Sequence, residues 1–338
     1  MTKGLAGRTA AAALIAGAML VAAPVAAQQK VQLSYHWGPT HPAAGFANQF
    51  AERVTERSDG ALDVQVFPSG QLFGIRDVLG GVASGAVQVG MAVGIVSFPP
   101  INSDYNVTAM PGMFDSFEQM RGFFDETEAG QALMQDMQSK TGIRIVGRNP
   151  VGPIAVFSAK DDLSSVDSLA GISARVLTDA DRVRWGALDA GSTVSLPTGE
   201  VYTALQNGIA DTVSTVPGAL SAYSWWDCVK SAQLPYFQFA DAYIIVNAAW
   251  FEGLSPELQQ VVTEVGAEIT AESTAAIMDA SAQMLDRLEA EQGGTVFELT
   301  GDELAKMNRI EREQIYPGLT EMVSKDTLDA AQAYTQGD

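Results

Sequence analysis

Two consecutive stretches, Gly171-Ile-Ser-Ala-Arg-Val-Leu-Thr-Asp179 and Gly199-Glu-Val-Tyr-Thr-Ala-Leu-Gln-Asn-Gly-Ile-Ala-Asp211, decide how this chain folds. Ile172, Ala174 and Val176 alternate with Ser173, Arg175 and Leu177, the period of two that marks a strand with one buried face. Thr178 and Asp179 then open an amphipathic segment ending near Gly191, a helix start followed by a helix stop. A strand feeding a helix in this way collects ligands at the strand's carboxyl end, and Arg175 stands there.

Working outward, strand-like runs alternate with helical ones. Val31–Tyr35, Leu62–Phe67, Val87–Val93, Ile143–Gly147 and Ile154–Ser158 read as strands, and Gly45–Arg57 and Phe117–Lys140 as helices. The alternation predicts an α/β fold with mainly parallel sheets. The longest helix runs from Pro256, with Ser255 at its cap and Glu257 next, to Gln292, before Gly293-Gly294. At 1.5 Å per residue it would span roughly 55 Å, enough to brace two lobes. Shorter helices are expected over 302–316 and 319–335.

Export is expected from the first 27 residues. Lys3 and Arg8 give a positive start, Ala10 to Ala23 a short apolar run, and Val25-Ala-Ala27 a small-residue cleavage site. No later stretch approaches the roughly 18 uninterrupted apolar residues of a membrane span. Cys228 is the single cysteine, so no internal disulfide can form. The net charge of −20 across 338 residues argues against nucleic acid as a partner. It does not argue against an anionic ligand. Surface charge is screened within about 8 Å at physiological salt, whereas a buried arginine at about 4 Å attracts an anion by a few kcal/mol.

The order and spacing of several short segments resemble the extracytoplasmic solute-binding proteins of tripartite ATP-independent periplasmic (TRAP) transporters, the dicarboxylate-binding-protein-like family. They are residues 31–46 (V-Q-L-S-Y-H-W-G-P-T-H-P-A-A-G-F), Val66-Phe-Pro-Ser-Gly-Gln-Leu72, Gly81 to Met91, Met110-Pro-Gly-Met-Phe114, the 171–211 region, and Asn247-Ala-Ala-Trp250 with Leu254-Ser-Pro-Glu257. The resemblance covers about 28–292. It implies a two-lobed α/β periplasmic-binding-protein fold (type II-like) closing by a hinge on a small organic carboxylate, for delivery to a membrane-protein pair. The expected lobes are 28–153 plus about 273–312, and 154–272 plus about 313–338, with the long helix spanning both. A monomer without cofactor or metal is expected. Other readings are a binding protein serving a sensor kinase and a secreted hydrolase or lyase on a similar fold. The chain carries no G-x-S-x-G, H-E-x-x-H, G-x-x-x-x-G-K or G-x-G-x-x-G motif to favour an enzyme.

The resemblance makes Arg175 the carboxylate clamp, a role its planar fork suits and a lysine's ammonium does not. The family often has lysine where Ser173 stands, so this edge of the site is less basic here. Asn247, ending the apolar run Tyr243-Ile-Ile-Val246, is expected either to back the carboxylate or to serve as a turn residue. Trp37 and His36 lie in the loop after the first strand, where the family keeps cleft residues. His36 and His41 without further ligands make a poor zinc site. Arg148 and, more weakly, Lys160 are candidates for a second cation. Phe73 is expected to border the cleft, and Thr215 and Trp226 to shape it. Thr212 to Pro217 departs most from the family, which puts any particular ligand in doubt.

Overall fold

The structure, a computed structural model, describes residues 28–337, so the expected export segment, 1–27, lies outside the described residues. Nine strands run β1 Gln29–Ser34, β2 Leu62–Phe67, β3 Val89–Val93, β4 Ile143–Ser158, β5 Ser173–Val176, β6 Ser192–Ser195, β7 Thr212–Thr215, β8 Ser231–Asn247 and β9 Thr295–Glu298. They form one continuous sheet in the order β2-β1-β3-β8-β4-β7-β5-β6, with β9 on β8. The α/β expectation holds, but the sheet is mixed. Two parallel blocks, β2-β1-β3 and β7-β5-β6, hang from a central antiparallel pair, β4 and β8.

The two strands read separately at 143–147 and 154–158 are thus one strand of 16 residues. Its glycines and prolines looked like breaks, yet the ladder with β8 runs from Ile143↔Asn247 to Ser158↔Ser231. Irregularities at Ile145/Gly147, Pro150/Gly152 and Ile154/Val156 absorb them. Gly152, at φ 149°, holds a backbone conformation that side chains rarely adopt. Such interruptions bend and twist a strand where it passes from one lobe to the other.

Direction follows from this pairing. β3 runs antiparallel to β8 and so advances from the far edge of the first lobe towards the middle of the molecule. β7 runs antiparallel to β4 and advances to the same middle from the second lobe. β1 is parallel to β3, and β5 to β7, so four carboxyl ends converge on one gap.

The long helix spans Pro256–Ala290, with Ser255 accepting from Leu258 N at its cap. Its first half lies along the helix Pro42–Arg57, where Arg53 pairs with Glu268 and Glu272, and Arg57 meets Glu268 through both nitrogens. Exposed pairs of this kind set alignment more than stability. Its second half reaches the other lobe, where Arg287 lies 4.9 Å from the Trp226 ring centroid.

Packing corrects the expected lobe boundaries. Residues 256–272 of the long helix are expected with the second lobe, but Glu268 and Glu272 pair with Arg53 and Arg57 and align this half with the first. Helix Gly301–Ile310 packs on the second lobe instead: Met307 joins Val156, Leu163 and Leu169, and Glu303 accepts from Val166 N. Helix Lys325–Gln336 returns to the first, where Leu328 and Ala331 join the cluster of Phe117, Phe123 and Phe124. Asp104 ties down its start by accepting from Ser324 N and Thr327 Oγ1. The single helix expected over 117–140 is two, Phe117–Glu126 and Glu128–Thr141, because Thr127 is extended (ψ 147°) and caps the second through its side chain.

The long helix meets β4 at one backbone-to-backbone contact. A Cβ added to Gly266 would lie 2.0 Å from Val146 O, and one on Gly147 would lie 2.5 Å from Gly266 O. Alanine for a mid-helix glycine ordinarily gains up to about 1 kcal/mol. Here overpacking costs about 1–3 kcal/mol, so Gly266→Ala is expected to lower stability in urea unfolding. A rise in midpoint at constant slope would show that helix and strand do not meet this closely.

Candidate functional site

The four converging carboxyl ends supply the walls of one cavity. His36, Trp37 and His41 follow β1; Val93 ends β3 and Ile95 follows it; Arg175 comes from β5 and Leu177 follows it; and Ser214 and Thr215 come from β7, with Val216 next. Val151 and Ile154 of β4 and Ala219, Tyr223 and Trp225 also line it. The cavity is narrow, about 70 Å³, and mainly apolar. The lobes touch across it: Tyr223 Oη donates to His36 O at 3.4 Å, and Arg76 Nη2 to Leu177 O at 2.8 Å.

Local sequence explains how Arg175 is presented. β5 passes into helix Asp179–Ala187 through a capping box in which Thr178 accepts from Asp181 N and Asp181 accepts from Thr178 N. Asp181 also accepts from Leu177 N, so its carboxylate is occupied by the backbone, and Asp179 pairs with Arg182. Arg175 is 3% exposed, and its Nε and Nη2 both donate to Leu196 O at 3.1 and 3.0 Å. Among the described residues no carboxylate lies within ion-pairing distance of it. Burial lowers its pKa to about 10, Asp181 offsets part of that, and Arg76 adds to it. The group stays protonated at neutral pH: a full charge in an apolar cavity without a counter-ion, an expensive arrangement for a protein to hold unless an anion joins it.

The two histidines are neutral scaffolding. Burial, with His41 adding for His36, holds both down to about 3. His41 Nδ1 accepts from Ala43 N and caps helix Pro42–Arg57, which fixes the neutral ring's proton on Nε2. Trp37 stacks on His41 with ring centroids 5.6 Å apart.

Of the eight expected site residues, Arg175, Trp37, His36 and Thr215 line this cavity, and four do not. Arg148 is buried in the first lobe, where Nη2 donates to Asp125 at 2.7 Å and the guanidinium lies over the Tyr243 ring. Its charge is already met. Asn247 is a turn residue: its Oδ1 accepts from Trp250 N and its Nδ2 donates to Val82 O and Ala83 O. Phe73 packs over Gly81, where an added Cβ would strike its ring at 2.6 Å. Trp226 faces Arg287, because the one-turn 3-10 helix Trp225–Asp227 points neighbouring side chains apart and turns Trp225 inwards. Lys160 pairs with Asp211 at 2.9 Å. Arg76, in the loop after β2 and four residues past Gln71-Leu72, is a further cation at the gap that local sequence pattern does not single out.

Histidine burial gives the protein a pH response. As pH falls below about 6.5 the unfolded chain takes up protons that the folded histidines refuse, so stability falls by about 1.4 kcal/mol per pH unit for each. Asp241 opposes them: burial, against the pull of Arg121 and Arg148, raises it to about 6, so the folded state gains stability as pH falls from there to 3.8. Two histidines against one carboxyl leave a net loss of about 2 kcal/mol between pH 6 and 4.5. His41→Asn keeps an N-cap acceptor and is expected to flatten that dependence in urea titrations. An unchanged slope would mean that His41 titrates normally.

The comparisons agree with this architecture. Residues 33–321 match the model of the DctP family, bacterial extracellular solute-binding protein, family 7. The chain is 25% identical over 313 residues, 90% of each protein, to the C4-dicarboxylate-binding periplasmic protein DctP of Rhodobacter capsulatus. In three dimensions it is similar to DctP7, a Bordetella pertussis extracytoplasmic solute receptor binding pyroglutamic acid (TM-score 0.81, 21% identity, 91% of this chain and 99% of that one). It is similar also to a TRAP periplasmic solute-binding protein of Shewanella oneidensis with bound succinate (TM-score 0.82, 22% identity, 90% and 98%). No described helix is long and apolar enough to cross a membrane. With most of its length matched and its strands converging on one interlobe cavity, the chain belongs to family 7 of the bacterial extracellular solute-binding proteins.

Proposed function

We propose that this protein binds a small organic monocarboxylate between its lobes and releases it unchanged to a TRAP-type pair of membrane proteins. The observation that carries this reading is Arg175, buried and protonated without a carboxylate partner at the point where four strands converge. A ligand carboxylate would complete it with charge-assisted hydrogen bonds. The relatives that bind succinate, pyroglutamic acid or C4-dicarboxylates all take carboxylates, which supports the same chemistry here. One carboxylate is favoured over two, because Arg175 is the one cation of the lining and Trp37, Ile95, Val151, Ile154 and Trp225 surround it with apolar surface.

Loading requires motion. A cavity of about 70 Å³ is far below the usual 300–1,000 Å³ of a ligand site. The contacts from Tyr223 to His36 O and from Arg76 to Leu177 O must therefore part to admit the ligand. Bound ligand then favours the closed state through its differential affinity for that state. Residues 1–27 are read as directing export to the periplasm, and the protein acts as a monomer.

The test is thermal unfolding against a panel of organic acids. Ligand at about 100 times its dissociation constant adds roughly 2.7 kcal/mol, which raises the melting temperature by about 5 °C. Arg175→Ala is expected to cost about 2–5 kcal/mol of binding and to abolish that shift. Retained affinity in the variant would remove the clamp role, and turnover of the ligand would remove the receptor reading.

A further inference from the structure

A second cavity, of about 230 Å³, shares no lining residue with the cavity of Arg175 and is bordered by Arg184 and Leu188 at the end of helix Asp179–Ala187. Three independent departures from regular structure meet on it. In the first, β8 leaves its ladder with β4 over residues 234–237: Ile154 pairs with Gln238 while Val156 pairs with Gln233. In the second, the chain after helix Gly301–Ile310 widens into a π-turn over Glu311–Ile315. Both devices are over-represented at functional sites, because each re-aims side chains at the cost of regular hydrogen bonding.

The third is Arg184. It is 5% exposed, its guanidinium sits 4.0 Å from the Phe237 ring centroid, and its Nη1 donates to Glu311 at 2.9 Å. Its Nη2 is buried with no hydrogen-bond partner. The excursion of β8 supplies Phe237, and the π-turn supplies Glu311, so both irregularities serve to hold this one arginine.

From this we infer that the cavity is a second ligand site, for a neutral aromatic carboxamide or a similar flat, uncharged molecule with a carbonyl acceptor. The carbonyl would take Nη2 of Arg184 once the guanidinium turns towards the cavity, and the ring would lie among apolar walls such as Phe239 and Leu188. Asp115 and Glu311 share the lining with Arg184, so a carboxylate is repelled there while an amide N–H finds acceptors. At about 30 Å³ for each water-sized group, the space suits a molecule of roughly eight heavy atoms. Asp115 belongs to the first lobe and Arg184 to the second, so an occupant would touch both lobes behind the hinge strands.

Benzamide is the probe, titrated into the full mature chain by ligand-observed NMR, with benzoate as its charged counterpart. Saturable binding of benzamide in the millimolar range is expected, with benzoate weaker. Asn308→Trp, at an exposed lining position, should abolish it, and Arg184→Met should weaken it about tenfold or more. Arg175→Ala should leave it unchanged, which separates this site from the interlobe cavity. Benzamide that fails to saturate, that binds no better than benzoate, or that is lost in Arg175→Ala but kept in Asn308→Trp would overturn the inference.

Discussion

Everything in this molecule hangs on the antiparallel pairing of β4 with β8. The two strands cross the whole sheet, and each lobe attaches its parallel block to a different part of them. Because β4 and β8 run in opposite directions, the blocks joined to them also run in opposite directions and meet head to head. Parallel strands gather ligands at their carboxyl ends, so this one pairing places the ligand-gathering ends of both lobes in a single gap. Among the described residues the same pair is the only strand connection between the lobes. Its ladder is interrupted at Gly147, Gly152 and residues 234–237, and the helix Pro256–Ala290 reaches from one lobe to the other.

Charge is arranged on two scales that do not compete. The chain is strongly acidic overall, and its outer carboxylates act through screened solvent. Inside the cavity the walls are apolar, the histidines are neutral, and Arg175 is the one lining cation. A carboxylate entering the gap meets a positive centre in a low dielectric, where interaction energies are several times larger than at the surface. The histidines contribute by staying uncharged: a protonated His36 or His41 would add a second, competing positive charge and, at His41, would break a helix cap.

Local patterns were legible in the sequence, and tertiary partnerships were not. β2 lies at the bounds its alternation predicted, and Ser255-Pro256 opens the long helix as caps require. Arg175 stands at its strand end because period and cap signals are short-range. β4 reads as two strands because glycine and proline punctuate isolated segments, whereas β8 carries the ladder through them. The lobe membership of the last 70 or so residues depends on contacts with partners more than a hundred positions away, such as Glu303 with Val166, and no local signal records these. Trp225 and Trp226 are indistinguishable in sequence; the phase of one 3-10 turn separates them.

Arg148 and Arg175 show why residue type and burial together still do not identify a binding group. Both are arginines, both are buried, and both follow a strand-like signal. Arg148 has Asp125 at 2.7 Å and the Tyr243 ring beneath it; burial pulls its pKa down, but its surroundings, Tyr243, then Asp125 and Asp241, more than restore it. Arg175 has two hydrogen bonds to one carbonyl and no carboxylate, and its pKa falls to about 10. The first charge has a carboxylate partner within the fold, although one of its nitrogens, Nη1, is buried without a hydrogen bond. Folding has taken the second out of water without giving it a counter-ion, and leaving a buried charge so costs stability that only a bound anion restores. Under the proposed function, a gap that keeps such a cost at the meeting point of the lobes would be stabilised most when an anion fills it, and closure and capture would be the same event.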